Sequence, residues 1–273
     1  MKTILKKGIK EIPSFLVLIY ICFFVSLLFA TIFTTAPREI RDAANVSLAQ
    51  QFANMQNPYV VTNEHEYIES INVYPPLNML IAAALHMLTT LNLYNIFYAL
   101  DFLYIILTAA LITRFIQKYY NASLFLCLLV FAASLTLGWR TGFISTIPDH
   151  LGMLIIVMLL ISPKSSHRFS ILTDSILTVL SFYSKQYFLA VCVTVFLYHL
   201  LHDYKAAFRY FIYTAILGIL SITILNILFP ALSIQLLFFM SAENSGINAG
   251  KILYSLKQIF LLLPLMESFL YLF

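Results

Sequence analysis

The feature that most constrains this chain is a succession of apolar runs with very little between them. They fall at 15–33, 74–92, 94–113, 122–139, 149–162, 169–184, 187–201, 209–229 and 252–273. A bilayer needs about 20 apolar residues per crossing helix, so runs of this kind read as membrane spans. Only 10% of the residues are charged, against about a quarter in a soluble domain. With seven glycines and no ten-residue alternation of apolar and polar positions, an outer-membrane barrel does not fit. A helical bundle is the other way to satisfy the backbone in lipid. The expected fold is an all-α polytopic bundle.

The side on which each loop lies follows from the basic residues, which gather on the cytoplasmic face of membrane proteins. Lys2, Lys6, Lys7 and Lys10 precede the first run. That run is longer than the core of a secretory signal, so it reads as an uncleaved first helix with a cytoplasmic N-terminus. If 74–92 does not cross, 10 of the 16 Lys and Arg residues are cytoplasmic. If it crosses, the two sides carry 8 each. The first arrangement is expected: about eight spans, a first extracytoplasmic loop at 36–73, and an in-plane or re-entrant helix at 74–92. Residues 1–273 then form one integral, multi-pass unit of an inner or plasma membrane. The net charge of +4 belongs to these topology-setting clusters and does not indicate nucleic acid. Cys22, Cys127 and Cys192 lie inside apolar runs without metal-ligand spacing and read as packing residues. No divalent-metal site or other cofactor is indicated.

Within the first loop, Ile40, Ala44, Ser47, Leu48, Phe52 and Met55 share a helical face, with Glu39, Asp42, Asn45 and Gln50 largely elsewhere. An amphipathic helix in the interface plane fits this pattern. Pro75-Pro76 suits the start of the next helix, since Pro costs nothing in a first turn.

Four separate segments then bring charge to the outer ends of helices: Glu39 and Asp42, Arg140, Asp149-His150, and Lys185-Gln186. Charge beside hydrocarbon is costly unless hydrated or paired, which makes these residues candidates for function. Each has two readings. Lys185 is a helix-end lysine snorkelling to water, or, with Gln186 beside it, a ligand for a lipid-linked phosphate. Asp149 complements a helix N-terminus, or pairs with Arg140 across a short outer loop, with His150 next to it. Glu39 and Asp42 belong to a self-paired solvated face with Arg38 and Arg41, or one of them is a general base toward an acceptor hydroxyl or amine. Asp101 is expected to pair inside the bundle. His86, Asp174 and Glu267 have no nameable partner, and the sequon-like Asn45-Val46-Ser47 and Asn121-Ala122-Ser123 carry little weight.

In their order, these elements resemble the GT-C superfamily of polytopic glycosyltransferases, which includes protein O-mannosyltransferases and the lipid A aminoarabinose transferase. The residues that carry the resemblance are Pro37-Arg38-Glu39-Ile40-Arg41-Asp42, Asn57-Pro58-Tyr59, Tyr74-Pro75-Pro76-Leu77, Pro148-Asp149-His150-Leu151 and Lys185-Gln186. It covers roughly residues 1–200. Asn57-Pro58-Tyr59 lacks the glycine common there, and family members continue where this chain stops, so the C-terminal part of that fold is expected to be missing. The resemblance implies transfer of a sugar from a polyprenyl-phosphate carrier to a glycan, lipid or protein acceptor at the outer face. Asp42 or Glu39 would be the base. Lys185, Gln186, Arg140 and Arg41 would hold the phosphate, Tyr74 would line the donor groove, and Asp149 and His150 would support them. The competing expectations are a transporter or flippase for lipid-linked oligosaccharide and a non-catalytic membrane partner.

Overall fold

A computed structural model describes residues 2–33, 37, 40–58, 75–141, 146–162, 168–185, 188–230 and 232. Among these residues the chain is entirely helical: α1 (Lys2–Thr31), α2 (Ile40–Ala53), α3 (Leu77–Thr89), α4 (Leu93–Tyr120), α5 (Leu124–Thr141), α6 (Asp149–Ile161), α7 (Arg168–Ser184), α8 (Leu189–His202) and α9 (Tyr204–Leu228). Three helices are long and apolar enough to cross a membrane, at Pro13–Thr31, Leu93–Tyr120 and Tyr204–Leu228. The chain therefore has the helices of a membrane protein. The others are shorter. At 1.5 Å per residue, the 13 residues of α6 give about 20 Å against a hydrocarbon thickness of about 30 Å. The expected last run, 252–273, lies outside the described residues.

Helix ends fall where side chains can satisfy the free backbone groups. Asn121 stops α4 in the left-handed region at φ 47°, which Asn tolerates better than most residues. Ser123 Oγ then accepts from Leu126 N at the start of α5. The second sequon-like tripeptide is thus a helix break. Asp203 alone joins α8 to α9, and its side chain caps Lys205 N at 2.9 Å, as an N-cap aspartate does.

Helix α4 is the axis of the bundle, because its faces feed three separate cores. Leu93, Ile96 and Phe97 pack with Leu48, Phe52 and Met79 of α2 and α3. Tyr98, Ile105 and Ala109 pack with α1 and α5. Tyr104 joins Leu154, Ile171 and Tyr210 of α6, α7 and α9. Outside these cores the surface is apolar: Phe15, Leu201 and Ile219 are among many large side chains left exposed. A surface of this kind is ordinary against lipid and exceptional against water.

The ends of the bundle can be told apart by contacts. Asn95 Nδ2, in the first turn of α4, donates to the Ile32 carbonyl just past the end of α1. So α4 starts at the end where α1 stops, and the segment holding α2 and α3 leaves from that end and returns to it. The last turn of α9 is there too: Phe229 packs edge-on against Phe52 at 4.8 Å between centroids, and Asn57 Nδ2 donates to the Pro230 carbonyl.

The buried face of α2 differs from the amphipathic pattern expected. Asp42, Asn45, Leu48, Ala49 and Phe52 are buried, whereas Met55 is 80% exposed. The inward stripe is 42, 45, 48/49, 52, a regular i, i+3, i+7 series that includes the two polar residues assigned outward. They face inward because donors and acceptors from a distant segment meet them there.

Candidate functional site

That segment is Thr146 to His150, the approach to α6 and its first two residues. Within five residues it engages α2, α3, α4, α5 and the end of α7.

Thr146 holds α2. Its backbone N–H and its hydroxyl both donate to Asp42 Oδ1, at 3.0 and 2.9 Å. Its Oγ1 accepts from Asn45 Nδ2 at 2.9 Å, and its carbonyl accepts from Asn78 Nδ2 at 3.2 Å. Tyr98 of α4 donates its hydroxyl to Asp42 Oδ2 at 3.3 Å. Asp42 and Thr146 are both 0% exposed. A carboxylate taken out of solvent is tolerated only with donors on its oxygens, and here a threonine 104 residues away supplies two of them. Asn78 is also buried, and its Oδ1 has no hydrogen-bond partner among the described residues.

Asp149 holds the end of α7. Lys185 Nζ lies 2.5 Å from Asp149 Oδ1. Asp149 opens α6 after Pro148, and the Lys185 N–H donates to the Ser181 carbonyl in the closing turn of α7. The pair therefore joins a helix N-terminus carrying an anion to a helix C-terminus carrying a cation, each sign suiting its dipole. The expected Arg140–Asp149 pair lies outside the described residues, because the Arg140 side chain is among those not described. The two helices run antiparallel, so Lys185 arrives directly opposite Asp149.

The turn after α7 closes tightly on α6. A Cβ built on Gly152 would fall 1.8 Å from a ring carbon of Phe188, so only glycine leaves room for that ring. Phe188 N in turn donates to the Lys185 carbonyl at 3.0 Å.

His150 holds α4 and α5. Its Nδ1 lies 2.7 Å from Asp101 Oδ1 and its Nε2 2.7 Å from the Gly138 carbonyl. A carbonyl only accepts, so Nε2 carries a proton; a second proton lies between Nδ1 and the carboxylate. The expected inner partner of Asp101 is thus His150. Gly138 is close-packed as well, with Ile105 side-chain carbon 3.1 Å from where its Cβ would be.

Of the expected site residues, the structure brings together Asp42, Asp149, His150 and Lys185 around one segment. Glu39, Gln186 and Tyr74 lie outside the described residues, as do the side chains of Arg41 and Arg140, whose backbones belong to α2 and α5. Four contributors had no place in the sequence reading: Asn45 as a buried group, Asn78, Tyr98 and Thr146. Asn78 carried a usable signal, being the polar residue in the first turn of an otherwise apolar helix. Thr146 carried none.

Comparison with protein-family models, curated proteins and solved structures gives no match.

A second buried polar cluster sits at the opposite end of the bundle. Asp174, 0% exposed, accepts from Ser162 Oγ at 2.6 Å and lies 3.1 Å from His199 Nε2. These residues close α6, α7 and α8 together. Asp174 thus has partners that its isolated position in the sequence did not reveal. His86, at the end of α3, contacts the Leu91 carbonyl through Nδ1 at 2.6 Å and serves the turn into α4. Among the described residues no group of three or more His, Cys, Asp or Glu side chains is arranged to hold a metal ion.

Proposed function

We propose that this protein is a membrane transferase that moves a sugar from a polyprenyl-phosphate carrier to an acceptor at the outer face. The observation that carries the reading is the convergence on Thr146–His150: one short segment ties the loop helix bearing Asp42 to the helix end bearing Lys185. A transfer of this kind needs a carboxylate near the acceptor and fixed positive charge near the departing phosphate. The segment supplies a rigid frame for both.

The roles then divide as follows. Lys185 neutralises the departing phosphate. In the resting arrangement Asp149 occupies its ammonium group, and with its side chain 36% exposed that carboxylate can yield to a phosphate arriving from the bilayer. Arg140, Arg41, Gln186 and Tyr74 complete the donor site. Asp42 has both oxygens engaged and no exposed surface, so we assign it to holding α2 in place. Glu39, three residues earlier at the mouth of the loop, is the general base. Eight crossing helices, a cytoplasmic N-terminus, and α2 and α3 lying at the outer face complete the topology. The return of the chain to the same end of the bundle between α1 and α4 supports the non-crossing assignment of α3.

The test is sugar transfer in vesicles reconstituted with purified protein and a polyprenyl-phosphate-linked sugar. Glu39→Gln and Lys185→Gln should each reduce the rate by about 10²–10³-fold, the usual loss of a charge-stabilising group, while both proteins stay inserted. Full activity in both variants overturns the mechanism. No transfer by the native protein from any polyprenyl-phosphate sugar overturns the function.

A further inference from the structure

At the end of the bundle away from Thr146–His150, α8 and α9 meet in a hairpin with a single connecting residue, Asp203. On the outer side of this hairpin is an open groove of about 970 Å³. Its lining is apolar, from Phe196 and Leu200 of α8 and Phe208 and Phe211 of α9, and also basic, with Lys205 and Arg209. From Tyr204 to Phe211 the groove follows α9 over eight residues, about 10 Å at 1.5 Å per step. Phe196 and Phe211 close it in an edge contact at 6.3 Å.

The two cations are available to a ligand. Lys205 forms no ion pair with a described carboxylate; its Nζ stands 5.8 Å from the Tyr204 ring centroid. Arg209 has Asp203 at 3.9 Å, with both side chains about one-third exposed, which is a loose surface pair. Asp203 is also committed to the N–H of Lys205. The lining thus carries a net positive charge beside apolar walls. The outward surface of α9 continues from it, and none of the helix's most apolar window is buried.

We infer that this groove binds an anionic phospholipid, with its phosphate at Lys205 and Arg209 and an acyl chain between Phe196, Leu200, Phe208 and Phe211. Charge complementarity selects this occupant. A zwitterionic headgroup brings no net charge to the two cations. A second copy of the chain docked across a two-fold axis would bring its own Lys205 and Arg209 against the first pair. The site lies at the far end from Lys185, so it is distinct from the proposed donor site.

Native mass spectrometry of the delipidated full-length protein, titrated with dioleoylphosphatidylglycerol or dioleoylphosphatidylcholine, tests this. One phosphatidylglycerol should be retained in preference. Each basic side chain near an anionic headgroup contributes about fivefold, so two give roughly 30-fold over phosphatidylcholine. The Lys205→Ala/Arg209→Ala double variant should bring the two lipids to parity. Leu200→Trp, which fills the groove and leaves the cations, should weaken retention of both lipids. Equal retention by the native protein, or an unchanged preference in the double variant, overturns the proposal. So does a dimer in the same spectra that Leu200→Trp abolishes, which would assign the groove to a second copy.

Discussion

Thr146→Val should be among the most destabilising conservative substitutions in the protein, although it changes one atom by shape. The hydroxyl it removes has two roles at once, as donor to Asp42 Oδ1 at 2.9 Å and as acceptor from Asn45 Nδ2 at 2.9 Å. A hydrogen bond to a charged group contributes about 1.5–3 kcal/mol and a neutral one about 1. Asn45 keeps a poorer contact with the Thr146 carbonyl at 3.4 Å, and the backbone N–H of Thr146 still reaches Asp42, so the loss is not the whole network. The expected cost is about 2.5–4 kcal/mol. At roughly 2–4 °C per kcal/mol for a chain of this size, the midpoint of thermal unfolding should fall by about 5–15 °C. Circular dichroism in one fixed detergent measures it. Thr146→Ser retains the hydroxyl and should stay within about 1–1.5 kcal/mol of the native protein. Tyr98→Phe removes the hydroxyl that donates to Oδ2 at 3.3 Å and should cost less than Thr146→Val. If Val and Ser behave alike, or if Val leaves the midpoint unmoved, the hydroxyl is not what holds Asp42, and the account of α2 fails.

Three further substitutions separate the site from the scaffold. Gly152→Ala forces Phe188 out of its place, costing about 1–3 kcal/mol, and combining it with Phe188→Leu should recover part of the loss in thermal unfolding. Asp149→Asn should cost little stability, about 1 kcal/mol or less with the Asp149 side chain 36% exposed, yet it removes the carboxylate that faces the Lys185 ammonium; in the transfer assay it should change the apparent affinity for the donor lipid more than it changes the midpoint. Asp174→Asn leaves His199 and Ser162 facing an amide in a fully buried site and should cost about 3–5 kcal/mol, while the transfer rate per folded molecule stays unchanged because the cluster is at the other end of the bundle.

Much of the architecture was readable because hydrocarbon is a severe solvent. Each apolar run had to become a helix, and the breaks at Asn121 and Asp203 fall where side chains can cap the ends. The site was only half readable, and the reason is the same solvent. Pattern reading of α2 assumes water on one side, so it turned Asp42 and Asn45 outward. In the folded chain the alternative to water is Thr146, and nothing within 100 residues of Asp42 announces it. Lys185 and Asp149 were each visible as charges at helix ends, but their pairing depends on α6 and α7 being antiparallel neighbours, which sets 149 against 185.

The same reasoning explains why one five-residue segment can hold so much. In a bundle whose apolar surfaces are equally content against lipid or against each other, packing alone does not fix how helices are turned. Directional contacts must do it. Thr146, Asp149 and His150 make such contacts, to α2 and α3, to the end of α7, and to α4 with α5. A change at any of these positions therefore rotates or frees a different element around the same end of the bundle. That is the arrangement expected where groups from several helices have to be held in register around one site, and it makes Thr146–His150, rather than any single charged residue, the part of the chain on which the proposed chemistry depends.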